Sequence, residues 1–338
     1  MSGSEALKVS MGNPSRGWQG TKSSARTRLL ANEFFPIQHK PKFLLDKSQK
    51  FFTVGSCFAR EIEYKLAPLG VPLLLRGRGL QRRYFRSWPH GDDAPGADAI
   101  YSGVFNKYTT ASIEHEFKRT ILRERYPQEG LIEIEDELWF DPHSSGLKNL
   151  PLEQALANRA IIDSAMQLVR EADIVVMTLG QTEGWLDSQT GIAMNTQPGP
   201  AAVRRFKDRF VFIDHSYRET VEQVDRTIKL IRQECNPRMR FIVTVSPVPF
   251  NSTFRAQDVV VAHQATKSML RAVAEELFRS YEFVDYFPSY EMVINTGRNL
   301  AWLDDQLHVD GEMVRHIMGT FYQQYYPEAE AVSVAPAA

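Results

Sequence analysis

The chain has 338 residues, far above the length at which disulfides or metals are needed to hold a core, and enough for one large domain or two small ones. Forty Lys plus Arg against 41 Asp plus Glu leave a formal charge of −1, a balance that excludes a protein whose main business is coating nucleic acid or an anionic membrane. Hydrophobic residues make up 43% and charged residues 24%, which is globular rather than disordered, and two cysteines cannot form a disulfide framework, so an intracellular, cytoplasmic setting is expected.

Residues 1–45 mix Ser, Arg, Lys and Gly around an apolar patch at Leu29, Leu30, Phe34 and Phe35, and read as an extended arm over the body with a mobile start. The opening MSGSEALKVSMGNPSRGW holds no apolar run of the signal-peptide kind. No stretch approaches the roughly eighteen apolar residues that span a bilayer, so no membrane partner is expected. The runs FFTV (51–54) and VPLLL (71–75) read as strands. Residues 76–150 carry Gly, Pro and Asp clusters and a possible hairpin, LIEIEDELWFD, and read as a long insertion after the second strand, on the active-site side of the sheet. Three further strands follow at DIVVMTL (173–179), FIVTV (241–245) and YEFV (281–284). Runs apolar on both faces suit a parallel sheet covered by helices.

The helices show their own period. Tyr217, Val221, Val224, Ile228, Ile231 and Cys235 form one apolar stripe, opened by a Ser216–Glu219 capping box and stopped at Asn236-Pro237. Ala262, Ala265, Met269, Val273 and Leu277 form a second stripe, and Val314, Ile317, Phe321 and Tyr325 a third. Strand–helix alternation of this kind predicts an α/β fold with a doubly wound parallel sheet in three layers. One domain is expected over 46–328, followed by a disordered tail over 329–338.

Ligands of open parallel sheets bind beyond the carboxyl ends of the strands. The segments that follow the strands are Gly55-Ser56-Cys57, Gly180-Gln181-Thr182-Glu183, Ser246-Pro247-Val248-Pro249 and Asp285-Tyr286-Phe287-Pro288, with Asp305-Gln306-Leu307-His308 before the last helix. A glycine before small nucleophilic residues fits a sharp nucleophile turn. The N–H groups that open the next helix there can bind an oxyanion and lower a thiol's pKa. The same residues also make an ordinary βα turn with a helix cap and a small core-filling cysteine. Asp305 and His308, three apart, can form a carboxylate–imidazole pair that leaves one ring nitrogen as base, although either suits an exposed surface.

Taken together, VGSCFAR (54–60), FNKYTT (105–110), TLGQTEGW (178–185), TVSPVPF (244–250), YFPSYE (286–291) and DQLHVDG (305–311) resemble the GSCFA-domain family. That family looks related to the SGNH/GDSL hydrolases and to PC-esterase-like polysaccharide O-acetyltransferases. The resemblance implies an SGNH-like, flavodoxin-like three-layer fold and an acyl-ester hydrolase or O-acyltransferase acting on a carbohydrate or similar small acylated substrate; no cofactor and no metal are expected. Laid over the Gly-Asp-Ser motif of GDSL relatives, Gly55 matches Gly, Ser56 matches Asp and Cys57 matches the nucleophile, so either Cys57 or Ser56 takes that role. His308 would be the base and Asp305 its orienter. The relatives' Gly-x-Asn-Asp block reads Gly180-Gln181-Thr182-Glu183 here, which leaves Gly103, Asn106, Gln181 or Thr182 to help the Cys57 N–H hold an oxyanion, unless Gln181 and Glu183 only cap backbone.

Three other readings stand beside this one. Arg76, Arg78, Arg82, Arg83 and Arg86, interleaved with Tyr84, Phe85 and Trp88, suit a solvated loop, an anionic substrate or, without a wider basic field, a nucleic acid; no nucleic-acid partner is expected. Asp304, Asp305, His308 and Asp310 offer oxygen ligands with one imidazole, short of a metal-binding set. A non-catalytic binder of carbohydrate or anionic ligand would keep Trp185 and Trp302 for sugar rings. The oligomeric state is open.

Overall fold

The computed structural model describes residues 1–86 and 96–327, so Trp88 and the tail over 329–338 lie outside the described residues. The chain opens with helices α1 (Gly3–Gly12) and α2 (Ala25–Ala31), then strand β1 (Phe51–Gly55) and helix α3 (Phe58–Leu66). Short strands β2 (Leu80–Gln81) and β3 (Ile100–Tyr101) precede α4 (Thr110–Ile121), the hairpin β4 (Ile132–Glu135) and β5 (Leu138–Phe140), and α5 (Leu152–Met166). Next come β6 (Ile174–Leu179), β7 (Glu183–Asp187), β8 (Ile192–Met194), α6 (Pro200–Arg205), β9 (Phe210–Asp214) and α7 (Tyr217–Glu234). The last third holds β10 (Arg240–Val245), α8 (Val259–Ser280), β11 (Val284–Tyr286), α9 (Ser289–Ile294), α10 (Arg298–Ala301) and α11 (Gly311–Tyr325).

Four strands pair in parallel in the order β1-β6-β10-β11, with Phe51 and Arg240 flanking Ile174 and Phe241 beside Val284. Period-two alternation sorts their side chains into two cores. Phe52, Val54, Val175, Met177, Phe241 and Val243 pack with α4, α5, α7 and α8. Phe51, Ile174, Val176 and Ile242 pack on the other face with α3, α9 and α11. This is the expected doubly wound, three-layer α/β arrangement, and each fully buried Val, Ile or Phe contributes roughly 1.5–3 kcal/mol to holding it. Because all four strands run the same way, the segments after β1, β6, β10 and β11 share one edge.

The expected second strand, VPLLL, is reduced to one parallel bridge between Phe51 and Leu73. The Phe51 N–H donates to the Pro72 carbonyl at 2.8 Å and the Leu74 N–H to the Phe51 carbonyl at 2.9 Å. Pro72 has no N–H to extend the ladder, and the chain turns directly after Leu73. The insertion that follows contains the expected hairpin, β4 with β5. It also contains α4, which is a layer helix: Phe117 packs its ring 5.8 Å from Phe52. A second, antiparallel sheet, ordered β8-β7-β9, stands beyond the end of β6 and had no counterpart in the sequence reading.

Residues 1–45, expected as an extended arm, form α1, which buries nothing, and α2. Phe34, Ile37, Phe43 and Leu45 then line the α11 face. His39 is pinned there at 3.1 Å from Asp285, whose carboxylate also accepts from Tyr325 at 2.7 Å. Among the described residues no helix is long and apolar enough to cross a membrane.

Candidate active site

The turn after β1 is forced by Gly55, whose φ is +128° and whose missing Cβ would lie 2.1 Å from the Thr178 carbonyl oxygen. Only glycine takes that backbone so close to the neighbouring strand. The next two residues then diverge. Ser56 is buried, and its Oγ accepts from the Phe58 N–H at 3.3 Å, closing the first turn of α3. Cys57 begins the helix and reaches a cavity of about 340 Å³. Burial pushes the Cys57 thiol up, with Glu61 adding to it, and this outweighs Lys267 and the N–H groups of Phe58 and Cys57, which pull it down. The lowered thiol pKa expected from the helix N-terminus is therefore corrected: desolvation is the larger effect here.

The other wall of this cavity comes from the segment before α11. The Leu303 N–H donates to the His308 carbonyl at 2.9 Å, and Gln306 takes φ +57°, so the loop folds back on itself. Inside it, Asp305 Oδ1 accepts from the N–H groups of Leu307 at 2.9 Å and His308 at 3.0 Å. Its Oδ2 lies 2.6 Å from His308 Nδ1. The bond to His308 leads the interactions that hold the Asp305 carboxyl down to about 2. With Nδ1–H committed to an ionised carboxylate, Nε2 is left as an acceptor. Cys57, Asp305 and His308 line the same cavity, joined by Asn106, Tyr101, Val248 and Leu303.

Asn106 is positioned by a bridge to Gly55 and by Asn195 Nδ2, which donates to its carbonyl at 2.7 Å. Its side-chain Oδ1 is buried with no hydrogen-bond partner among the described residues. The remaining sequence candidates fall elsewhere. Gly103 is buried in a 3-10 turn, where a Cβ would meet the Tyr101 ring at 2.3 Å. Gly180 is wedged against Tyr108, and its carbonyl accepts from Lys267 Nζ at 2.7 Å. Thr182 is fully buried, 2.9 Å from Thr266 Oγ1. Glu183 spends its carboxylate on Thr253 Oγ1 at 2.7 Å, the Phe254 N–H at 2.9 Å and Arg255 at 3.4 Å, which shapes the loop after β10. Gln181 lines a second cavity.

Sequence reasoning missed Lys267. It is fully buried in α8, where desolvation lowers its pKa to about 7 while Cys57 raises it, so it is the cation nearest in effect to the thiol. A lysine inside a helical stripe gave no signal in the sequence. In the Arg-rich segment, Phe85 is buried edge-on to Tyr101 at 4.9 Å and Arg86 holds Asn149 at 3.0 Å, so the segment spends these groups on its own fold. Trp302 is in the α11 core, under Arg298, whereas Trp185 lines the second cavity. Among the described residues no group of three or more His, Cys, Asp or Glu is clustered for a metal ion, the acids around His308 included.

The sequence model of the GSCFA family matches residues 50–321, a span that holds β1, the full parallel sheet and the Asp305–His308 loop. The chain belongs to the GSCFA family. No curated protein sequence matches it significantly. Among solved structures, a carbohydrate esterase family 3 protein from Talaromyces cellulolyticus superposes with a TM-score of 0.37 at 12% identity, over 84% of this chain and 100% of that one. A family 3 carbohydrate esterase from Clostridium thermocellum gives 0.36 at 13%, over 81% and 94%. In this GSCFA chain two of the motifs named above reach both cavities: TVSPVPF supplies Val248 to the first and Phe250 to the second, and FNKYTT supplies Asn106 to the first and Tyr108 to the second.

Proposed function

We propose that the protein is an esterase-like hydrolase or O-acyltransferase that works through an acyl-enzyme on Cys57, with His308 as base and Asp305 as its orienter, on a small acylated substrate of carbohydrate type. The observation that carries this reading is the 2.6 Å Asp305–His308 pair on the cavity that Cys57 also lines. Ser56 is the lesser candidate, because its Oγ is buried as a cap and does not line that cavity. His308 Nε2 takes the Cys57 proton as the sulfur attacks the ester carbonyl carbon, and the carbonyl π pair moves to oxygen. The Cys57 N–H and the Asn106 amide, rotated to present Nδ2, stabilise that oxyanion. Collapse expels the alkoxide, which collects the proton from His308 and leaves a thioester. Water or an acceptor hydroxyl then gives its proton to His308 and attacks the thioester, and the thiolate leaves and is reprotonated.

Two variants assayed on p-nitrophenyl acetate and acetylated xylo-oligosaccharides test this. Cys57→Ala should lose about a thousandfold or more in kcat. Ser56→Ala should stay active while losing about 1 kcal/mol of stability with its cap. Full activity in Cys57→Ala contradicts the thiol mechanism.

A further inference from the structure

The second cavity, of about 410 Å³, opens across the Asn106–Tyr108 segment from Cys57 and is walled by β7, β8 and the loop after β10. Tyr108 lines it and Asn106, two residues earlier, lines the cavity of Cys57, so one short segment borders both. We infer that this second cavity is the binding site for an uncharged sugar ring, the part of the substrate that carries the ester; the assignment rests on the acyl-enzyme reading above.

Three observations point to that ligand class. First, the wall presents aromatic surface: Trp185 and Phe254 line the cavity with ring centroids 4.9 Å apart, each packed 5.5 Å from Phe212, and Phe254 is 48% exposed. Aromatic rings offer the apolar C–H face of a sugar a partner. Second, the side-chain amides of Gln181, Gln197 and Asn251 line the cavity and make no hydrogen bond among the described residues. Amides that both donate and accept match hydroxyls, which do the same. Third, among the described residues no Lys or Arg lines the cavity, and the one carboxylate that does, Glu183, is already bonded to Thr253, Phe254 and Arg255. An acidic sugar or a phosphate would find no cation there. The volume falls in the roughly 300–1,000 Å³ range of small-molecule sites.

The test uses full-length Cys57→Ala protein, which lacks the proposed nucleophile, titrated with xylotriose, cellotriose and maltotriose, and with trigalacturonate as the anionic control, followed by ligand-observed NMR and calorimetry. At least one neutral trisaccharide should bind, with trigalacturonate weaker. Trp185→Ala should weaken binding about tenfold or more, as should Asn251→Ala, an exposed loop change that spares the fold. No neutral binding, equal binding in both cavity variants, or preference for trigalacturonate overturns the site. Turnover of p-nitrophenyl acetate by the wild type, measured alongside, reports the acyl-enzyme reading separately, so failure of the sugar site is told apart from failure of that reading.

Discussion

Two features pull the Cys57 thiol in opposite directions, the N–H groups that open α3 and the burial around the sulfur, and burial has the larger effect. A thiol raised above its ordinary value is neutral near pH 7, so the proposed mechanism has His308 take its proton at the moment of attack, unlike a preformed thiolate–imidazolium pair. Alkylation of Cys57 by iodoacetamide should therefore keep rising with pH past the ordinary thiol range; a plateau near neutrality contradicts this. Asp305 shows the opposite case. Its carboxyl, held down to about 2 by His308 and two backbone N–H groups, is ionised at every working pH. Asp305→Asn should cost about 10²–10⁴ in kcat across the neutral range, because the imidazole loses the partner that fixes its tautomer. A kcat equal to wild type removes the pair from the mechanism. Gly55, Cys57, Asp305 and His308 were legible because their residue types limit what they can do. Whether Ser56 or Cys57 faces the cavity depended on which hydroxyl or thiol capped α3, a matter of one turn's geometry.

Elements were legible in proportion to how apolar their buried faces are. The parallel strands announced themselves through runs such as DIVVMTL, and α11 buries all four residues of its expected stripe, Val314, Ile317, Phe321 and Tyr325. Helix α8 is turned from the expected stripe in its first half: Ala265 is exposed, and Thr266 and Lys267 are buried against Thr182 and Gly180. Helix α4 escaped notice for the same reason, since its buried face includes Ser112, Glu116, Arg119 and Thr120. Glu116 is fully buried, 2.7 Å from Lys107 Nζ, 2.7 Å from Arg119 and 3.1 Å from His143 Nε2. Lys107, between Asn106 and Tyr108 in sequence, ties the segment that borders both cavities to this cluster. Burial alone would raise the Glu116 carboxyl, but Lys107, Arg159 and His143 together hold it well below the usual range. Its contribution to stability is thus complete above the ordinary glutamate value and is lost as pH falls through the acid range beneath it. Glu116→Gln should destabilise the fold by about 3–5 kcal/mol at neutral pH, read by denaturant melts, because it strands buried cations. A loss under about 1 kcal/mol at pH 7 contradicts the anchoring role.

At the scale of the whole molecule, the parallel sheet does the positioning. Its common edge brings together residues about 250 positions apart in sequence, Cys57 after β1 and His308 before α11, a separation that one-dimensional pattern reading could only propose. The two-faced strands made the three-layer fold readable. The antiparallel β8-β7-β9 sheet was not, because its strands are short and mix Glu183, Gly184 and Asp187 with apolar residues. Its strands β7 and β8 wall the second cavity. The direct measurement of the mechanism is rapid quench of the full-length protein with p-nitrophenyl acetate, followed by peptide mass spectrometry. A hydroxylamine-labile acetyl group on Cys57, accumulating further in a variant slowed at deacylation, is the expected result. Steady turnover with the acetyl group on Ser56, or with no covalent adduct at all, contradicts it.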